Sequence, residues 1–476
     1  MSPLSVIIVI AAYFVLMLLV SALSRRGGGD FFGIRQSSWP MVAIAMIGAC
    51  MSGVTFVSVP GMVATASMSY LQMCLGFMAG YIVIAFVLMP LYFRLGVVSV
   101  YEYLNHRFGI GSYRTGAWFF FVSKLLGASV RFFVVCLALQ LLLFSPLGLP
   151  FWSNVLLNVA IIFLYTFRGG VKSVIGVDIL KTICMVAAVV LCFVFICRSL
   201  GLSAGDAAAA IKSSGMSRIF FFDDVNDTRY FWKQFLGGLF TMIATTGLDQ
   251  DMMQRSLSCR NHRDAQKNLL VSSVLQTVFI FLFLALGCLM YIFASARSIP
   301  QTGDELFAEV ATESGLPQIV GVLFILGLIS AAYSSGGSAL TSLTTSFSLD
   351  ILGTGKNAGG QKTRQRVHIA MALLMAAVII VFGAIKSTSA IDAVYRIASY
   401  TYGPILGMFA FGILTKMQVR DSLVPLVALM APVVCLVLQL GSNRWFGGYS
   451  FGYEILPMNA ALTFLGLCCI RRRPLA

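Results

Sequence analysis

Apolar runs long enough to cross a bilayer recur from one end of this chain to the other. They fall near residues 4–23, 40–65, 71–95, 115–145, 151–167, 174–199 and 233–248, then near 268–295, 317–350, 367–385, 390–415, 421–440 and 451–470. A hydrocarbon core of ~30 Å needs about 20 residues of helix, which these runs supply. Inside lipid every backbone amide must be satisfied within the protein, so the runs are expected to be helices rather than open strands. The expectation is an all-α, polytopic membrane protein of about 13 transmembrane helices. Composition agrees: 59% of the residues are hydrophobic and 11% charged, against roughly 45–50% and 25% in soluble domains.

The first run, Val6 to Leu23, lacks a basic leader and is followed by Arg25 and Arg26 instead of a small-residue cleavage site, so it reads as a retained helix. The 11 cysteines are scattered through apolar segments with no zinc or disulfide spacing, and read as small hydrophobes.

The net charge of +15 suggests nucleic acid only until it is laid on the topology. With 13 spans, 21 Lys and Arg fall on the side that holds Arg25, the 255–267 loop and Arg471, 8 fall on the other side, and 4 lie within spans. Basic loops stay in the cytoplasm, so the N-terminus is expected outside and the C-terminus inside, in a plasma membrane taken as a bacterial inner membrane. Nucleic acid is not an expected partner. The longest outer connection, 200–232, holds Asn226-Asp227-Thr228, a glycosylation pattern relevant only in a eukaryote. No Walker lysine loop or His-rich metal motif is present and there are three histidines, so no enzyme activity is expected. A carrier, a channel or a membrane sensor remains.

Four features carry chemistry. The second helix is interrupted by Gly48-Ala49-Cys50-Met51-Ser52-Gly53 and Pro60; such a break frees carbonyls that can coordinate a cation, or serves close packing. The ninth holds Ser330, Ser334, Ser335, Ser338 and further hydroxyls beyond, which either ligate a hard cation such as sodium or bond back to carbonyls one turn earlier. Asp178 lies just inside the sixth helix with Lys181 three residues on, a functional carboxylate or a structural ion pair. Arg396, one turn after Asp392 in the eleventh, suits a carboxylate solute if it faces a cavity; the alternative is an Asp392–Arg396 pair. Lys124 and Arg131, seven apart on the fourth helix, share a face and read as buttresses or snorkelling side chains.

At these residues the chain resembles the sodium/solute symporter family, over roughly residues 1–470. Gly169-Gly170-Val171-Lys172-Ser173-Val174 leading to Asp178 looks like the family's Gly-Gly start to the sixth helix. Gly247-Leu248-Asp249-Gln250-Asp251-Met252-Met253-Gln254-Arg255 looks like its motif after the seventh, and Ala331-x-x-Ser334-Ser335 with Asp350 matches its sodium-site pattern. The resemblance implies a single transporter domain with a leucine-transporter-like core, in which helices 2–6 (residues 36–199) and 7–11 (200–415, with the outer loop 200–232) form two inverted five-helix repeats. The first helix (1–35) and helices 12 and 13 (416–476) are then peripheral.

Carried over residue by residue, the family's sodium site falls on backbone oxygens of Gly48, Met51 and Ala331 and hydroxyls of Ser334 and Ser335. Some members hold a second sodium with the sixth-helix Asp, here Asp178, and hydroxyls corresponding to Ser334, Gly337 and Ser338. This chain departs there, because Gly337 has no hydroxyl and Lys181 stands where Gln is common, so one Na+ per cycle is expected. A charge crossing 100 mV supplies about 2.3 kcal/mol, enough for roughly 50-fold accumulation. The solute cavity would be lined by Cys50, Gln72, Met242, Thr245 and Arg396, a set too apolar for a sugar, and Arg396 favours a small anionic solute such as a carboxylate. The resemblance thus implies a sodium-coupled symporter working by alternating access. A sensor or channel without coupled flux is the alternative; a sensor would append a signalling domain, and none is expected here.

Overall fold

The computed structural model describes residues 7, 8, 11–16, 19, 38–96, 99–167, 171–300, 302–312, 314–353, 358–384, 390–445, 449 and 451–472, and among these no strand is present. In chain order the long helices are α1 (Trp39–Cys50), α2 (Gly53–Gly61), α3 (Tyr70–Leu95), α4 (Ile110–Leu139), α5 (Phe151–Thr166) and α6 (Val171–Ser199). They continue as α7 (Phe231–Met242), α8 (Gln250–Leu257), α9 (His262–Arg297), α10 (Gln318–Ser346), α11 (Ala358–Ala384), α12 (Ala390–Leu414), α13 (Val424–Trp445) and α14 (Ile455–Cys469). Each of the twelve apolar runs from residue 40 onward coincides with one of these helices or, for 40–65, with a pair. The expected first helix, 4–23, lies largely outside the described residues. Among the described residues eight helices are long and apolar enough to cross a membrane, and the α1–α2 pair makes a ninth. Side chains such as Leu164, Leu373, Leu429 and Leu440 are at least 60% exposed, as a lipid-facing belt requires.

The α1–α2 pair shows how sequence makes a break. The two halves are bent by 59°. Met51 leaves the helix in an extended conformation (φ −83°, ψ 98°) and Ser52 (φ −91°, ψ 173°) caps α2, its hydroxyl accepting from the Thr55 amide at 3.5 Å. Backbone bonding resumes only at Phe56 N to Ser52 O. Among the described residues the carbonyls of Gly48 to Met51 therefore accept no backbone hydrogen bond. Gly53 follows the break because a Cβ there would lie 2.8 Å from Val135 Cγ2 on α4; the same Cβ would touch Ala331 of α10 at 3.9 Å. The break is thus pressed between α4 and α10.

Small residues let other elements close on the same centre. Gly76 and Gly80 of α3 face α7, where a Cβ on Gly76 would meet the Phe235 carbonyl at 2.1 Å. After α7 the chain makes a wider π-helical turn over Ile243–Gly247 before α8, and such turns mark functional segments in helices. Residues 416–476, expected as peripheral, grip the centre more firmly than that word suggests. Asn459 of α14 donates to the Ser399 and Tyr400 carbonyls of α12 at 3.0 and 3.1 Å. The Asp421 carboxylate accepts from Gly111 N, Ser112 N and Ser112 Oγ at 2.6–2.8 Å, capping α4.

Candidate functional site

A cavity with about 780 Å³ of empty space lies against the α1–α2 break, walled by α3, α4, α7, α9 and α12. Cys50, Met242 and Thr245, three of the residues expected to contact solute, line it. Cys50 Sγ lies 3.3 Å from Tyr81 Oη, whose hydroxyl donates to Gln276 Oε1 at 3.0 Å. That commits the Gln276 oxygen and leaves its NH2 as the donor end of a side chain that lines the cavity.

Two cations of α4 also line this cavity, and their circumstances differ. Lys124 donates to Asp249 Oδ1 and Oδ2 at 3.2 and 3.1 Å and to Asp251 Oδ2 at 3.0 Å. Arg131, half-buried two turns away, has no carboxylate within 4.0 Å among the described residues. Lys124 thus buttresses α8 from α4, one of the two readings its helical face allowed; Arg131 lines the cavity with no such pairing among the described residues, which spacing along one helix could not disclose.

Below Lys124 the motif 247–255 is folded into a buried ionic network. Asp249 caps α8, accepting from the Asp251 and Met252 amides at 2.9 and 3.2 Å, and takes the Tyr402 hydroxyl at 2.6 Å. Arg255 Nη1 pairs with Asp251 at 3.2 Å. Ser338 joins the two: it accepts from Arg255 Nη2 at 2.8 Å and donates to Asp251 at 2.7 Å. Tyr92 and Tyr101 hold the preceding turn by donating to the Gly247 and Leu248 carbonyls. The family motif is thus a floor beneath the cavity, and Asp249, Asp251, Arg255 and Tyr402 are site residues that sequence reasoning left unassigned.

The opposite end of the cavity is closed differently. Tyr395, which lines it, meets Tyr70 hydroxyl to hydroxyl at 2.5 Å. Tyr70 in turn lines a second pocket, on the face that carries the 200–230 connection. Arg396, exposed, lines that second pocket and not the central cavity; the Asp392 side chain lies outside the described residues. Gln72 lies in neither cavity. It is fully buried, its amide nitrogen donating to the Arg229 carbonyl at 2.8 Å and its oxygen accepting from Phe221 N at 3.0 Å, so it pins the 200–230 connection to α3.

The residues expected to hold sodium lie on the other flank of the break. Gly48, Met51, Ala331 and Ser334 are buried and Ser335 is half-buried. Gly48 and Met51 belong to the group whose carbonyls accept no backbone bond, the condition a cation ligand needs. Lys181 is fully buried and its Nζ donates to Ser335 Oγ at 3.4 Å. The Asp178 backbone is within α6, and its side chain lies outside the described residues.

The model of the Sodium:solute symporter family matches residues 31–421. The chain is 24% identical over 453 residues to the Sodium/sialic acid symporter SiaT of Proteus mirabilis (strain HI4320), a match covering 89% of this chain and 85% of that protein. It is 26% identical over 461 residues to the Sodium-coupled monocarboxylate transporter 1 of Mus musculus, covering 90% and 71%. The match to the human Sodium/iodide cotransporter is 29% identical over 274 residues but spans 41% of that protein. Among solved structures, a substrate-bound outward-open state of a Na+-coupled sialic acid symporter superposes with a TM-score of 0.79 at 19% identity, over 98% of this chain and 97% of that one. A closed conformation of MHP1, a nucleobase-cation-symport-1 family transporter, superposes with a TM-score of 0.58 at 13% identity, over 91% and 92%.

Proposed function

The chain belongs to the sodium:solute symporter family, and from that premise we propose that it imports a small organic anion together with one sodium ion, by alternating access around the central cavity. Arg131 carries the assignment of charge. Within the cavity and its floor, Lys124, Arg131 and Arg255 face Asp249 and Asp251, which among the described residues leaves one positive charge over, on the cation with no carboxylate within 4.0 Å. A guanidinium that lines the cavity favours a carboxylate, which its planar fork can bind through both oxygens. The Gln276 NH2 supplies a further donor to the same space. Relatives that carry sialic acid and monocarboxylates are in keeping with this reading. The role first given to Arg396 thus passes to Arg131.

Sodium is assigned to the carbonyls of Gly48, Met51 and Ala331 and the hydroxyls of Ser334 and Ser335. An ion there would tie the broken helix α1–α2 to α10, and whatever favours that tie favours the conformation in which the solute binds. The second-ion set is depleted: Gly337 offers no hydroxyl, Ser338 is spent on Arg255 and Asp251, and Lys181 stands where Gln is common. Stoichiometry then decides the driving force. One Na+ with one monoanion moves no net charge, so the membrane potential contributes nothing and a tenfold sodium gradient, about 1.4 kcal/mol, supports about tenfold accumulation. The roughly 50-fold expectation, set for one charge crossing 100 mV, is therefore withdrawn for a monoanion. The protein is read as a carrier that leaves its solute chemically unchanged, in a plasma membrane with its N-terminus outside.

The test is uptake of lactate and of N-acetylneuraminate into proteoliposomes. Uptake is expected to require sodium with a Hill coefficient near one, to vanish in Ser334→Ala/Ser335→Ala, and to fall about 10- to 100-fold in kcat/KM in Arg131→Gln, the loss of a charge-assisted bond of about 1.5–3 kcal/mol. Unchanged anion uptake in Arg131→Gln sinks the solute assignment; a Hill coefficient near two sinks the single ion.

A further inference from the structure

Where α4 begins and α12 and α14 end, three separate stretches of chain meet in one joint. Val419 and Arg471 form an antiparallel bridge, flanked by bonds from Arg420 N to Ile470 O at 3.0 Å and from Arg472 N to Gln418 O at 2.8 Å. Asp421, which caps α4, ties residues 109–114 to the same joint. Its approach is close: a Cβ on Gly109 or Gly111 would lie 2.6 or 2.8 Å from its Oδ2. Arg107, half-buried, is spent on the Gly412, Thr415 and Met417 carbonyls and shapes the turn after α12. Among the described residues five further cations belong to the joint, and all are exposed: Arg114, Lys416, Arg420, Arg471 and Arg472. None of the five has a carboxylate within 4.0 Å among the described residues. Asp421 is committed to the Gly111 and Ser112 amides and the Ser112 hydroxyl.

Five like charges repel one another, and loops free to do so would carry them apart. Main-chain bonds hold them together instead. A bias that only orients the chain needs its basic residues on one side of the membrane, not residues 114, 416–420 and 471–472 bonded into one unit. The joint also borders the lipid-facing belt. Leu414, 76% exposed, immediately precedes it, Leu426 and Leu465 are exposed on α13 and α14, and Trp118 is exposed one turn beyond Arg114. Indole side chains settle at the membrane–water boundary, which sets the five cations at headgroup level. A cationic patch at the rim of an apolar belt matches a molecule that carries an anion and hydrocarbon chains together. We propose that this joint is a binding site for an anionic phospholipid, its phosphate among Arg114, Lys416, Arg420, Arg471 and Arg472 and its acyl chains against the adjoining apolar side chains. Guanidinium forks bind phosphate oxygens in pairs, which suits a patch of four arginines and one lysine. A free phosphate would satisfy the cations and leave the apolar rim unused. A lipid so held neutralises the repulsion and clamps α4, which carries Lys124 and Arg131, to the ends of α12 and α14.

The experiment is native mass spectrometry of the purified full-length chain in a neutral detergent, titrated with dioleoylphosphatidylglycerol or dioleoylphosphatidylcholine. Phosphatidylglycerol is expected to bind the unmodified chain more than about tenfold more tightly than phosphatidylcholine. Arg420→Gln/Arg471→Gln/Arg472→Gln is expected to weaken phosphatidylglycerol about 100-fold, since each basic residue near an anionic headgroup contributes about fivefold. Arg114→Gln/Lys416→Gln, which leaves the 470–472 segment alone, should weaken it about 25-fold by the same reckoning. Arg260→Gln/Arg263→Gln/Lys267→Gln removes as much charge from another exposed basic segment and should change binding less than about threefold. Because the bonds of the joint are main-chain, the variants should unfold at the temperature of the unmodified chain in lipid-free detergent. Phosphatidylglycerol should raise that temperature for the unmodified chain and not for the 420/471/472 variant. Equal binding of the two lipids, or equal losses in the 420/471/472 and 260/263/267 variants, overturns the site. Displacement of phosphatidylglycerol by an equimolar amount of inorganic phosphate overturns the lipid and makes the occupant a free anion.

Discussion

The two ends of the central cavity are closed by different chemistry. Toward the 200–230 connection, one neutral hydroxyl pair, Tyr70 with Tyr395, separates the cavity from the second pocket. Toward the 247–255 turn the closure is ionic: Lys124, Asp249, Asp251, Arg255, Ser338 and Tyr402 form one buried network that joins α4, α8, α10 and α12. A net hydrogen bond contributes about 0.5–1.5 kcal/mol, whereas removing one partner of a buried ion pair costs about 3–5 kcal/mol. On the proposed alternating access, the difference predicts which closure parts at the lower cost. Thermal motion suffices to part the hydroxyls; opening the ionic floor requires compensation, and sodium and solute acting together on α1–α2, α4 and α10 are placed to supply it.

This contrast can be broken experimentally, beginning with its strong side. Lys124→Met leaves Asp249 and Asp251 without their shared cation and is expected to cost about 3–5 kcal/mol, seen as the largest drop in thermal unfolding temperature of the purified protein. Lys124→Met/Asp249→Asn should recover part of that loss. If the single variant costs no more than Tyr70→Phe, the two closures are equivalent and the contrast is wrong.

Tyr70→Phe tests the weak side. Removing one hydroxyl should raise the rate at which a membrane-impermeant thiol reagent reaches Cys50, up to about tenfold for 1.4 kcal/mol, with the Cys50 adduct quantified by peptide mass spectrometry. A rate that does not change would show that the hydroxyl pair is no barrier.

The smallest effect lies at the surface of the same face. Arg229 holds the Asp227 carboxyl below its ordinary range, mainly through hydrogen bonds from its guanidinium, and the Arg229 carbonyl is where Gln72 hooks the connection to α3. A depressed carboxyl stabilises the fold fully above its unfolded value of about 3.9 and loses that contribution as pH falls through the lower folded value. Asp227→Asn is thus expected to lower stability by less than about 1 kcal/mol at neutral pH, and the difference from the unmodified protein should close on acidification. A difference that persists below about pH 2 would mean that Asp227 acts other than through its charge.

The helices and their order were legible in the chain because hydrophobic length is a local property. So was the break in 40–65, since Gly48, Ser52, Gly53 and Pro60 weaken a helix wherever they occur. Sequence reasoning also singled out Lys124 and Arg131 as intramembrane cations but could not separate them. The Lys124 charge is paired by Asp249 and Asp251, more than a hundred residues away. Arg131 owes its exposure to the cavity to the way α4 rotates against the break. Gln72 and Arg396 were expected in that cavity from the family resemblance. The fold turns Gln72 onto the 221–229 backbone and Arg396 into the second pocket, because neighbouring positions on one helix face directions about 100° apart.

By itself, then, the sequence determined that this protein lives in lipid, that its apolar runs form helices, and that one span is interrupted beside a hydroxyl-rich partner, all consequences of composition and spacing along the chain. Only the tertiary structure decided which cation is paired and which lines the cavity without a carboxylate among the described residues, that motif 247–255 packs against that cavity, and that Tyr70 and Tyr395, joined by their hydroxyls, line different pockets. Those are properties of which groups meet across the bundle, and charge compensation in a low-dielectric interior depends on distance in space rather than on position in the chain.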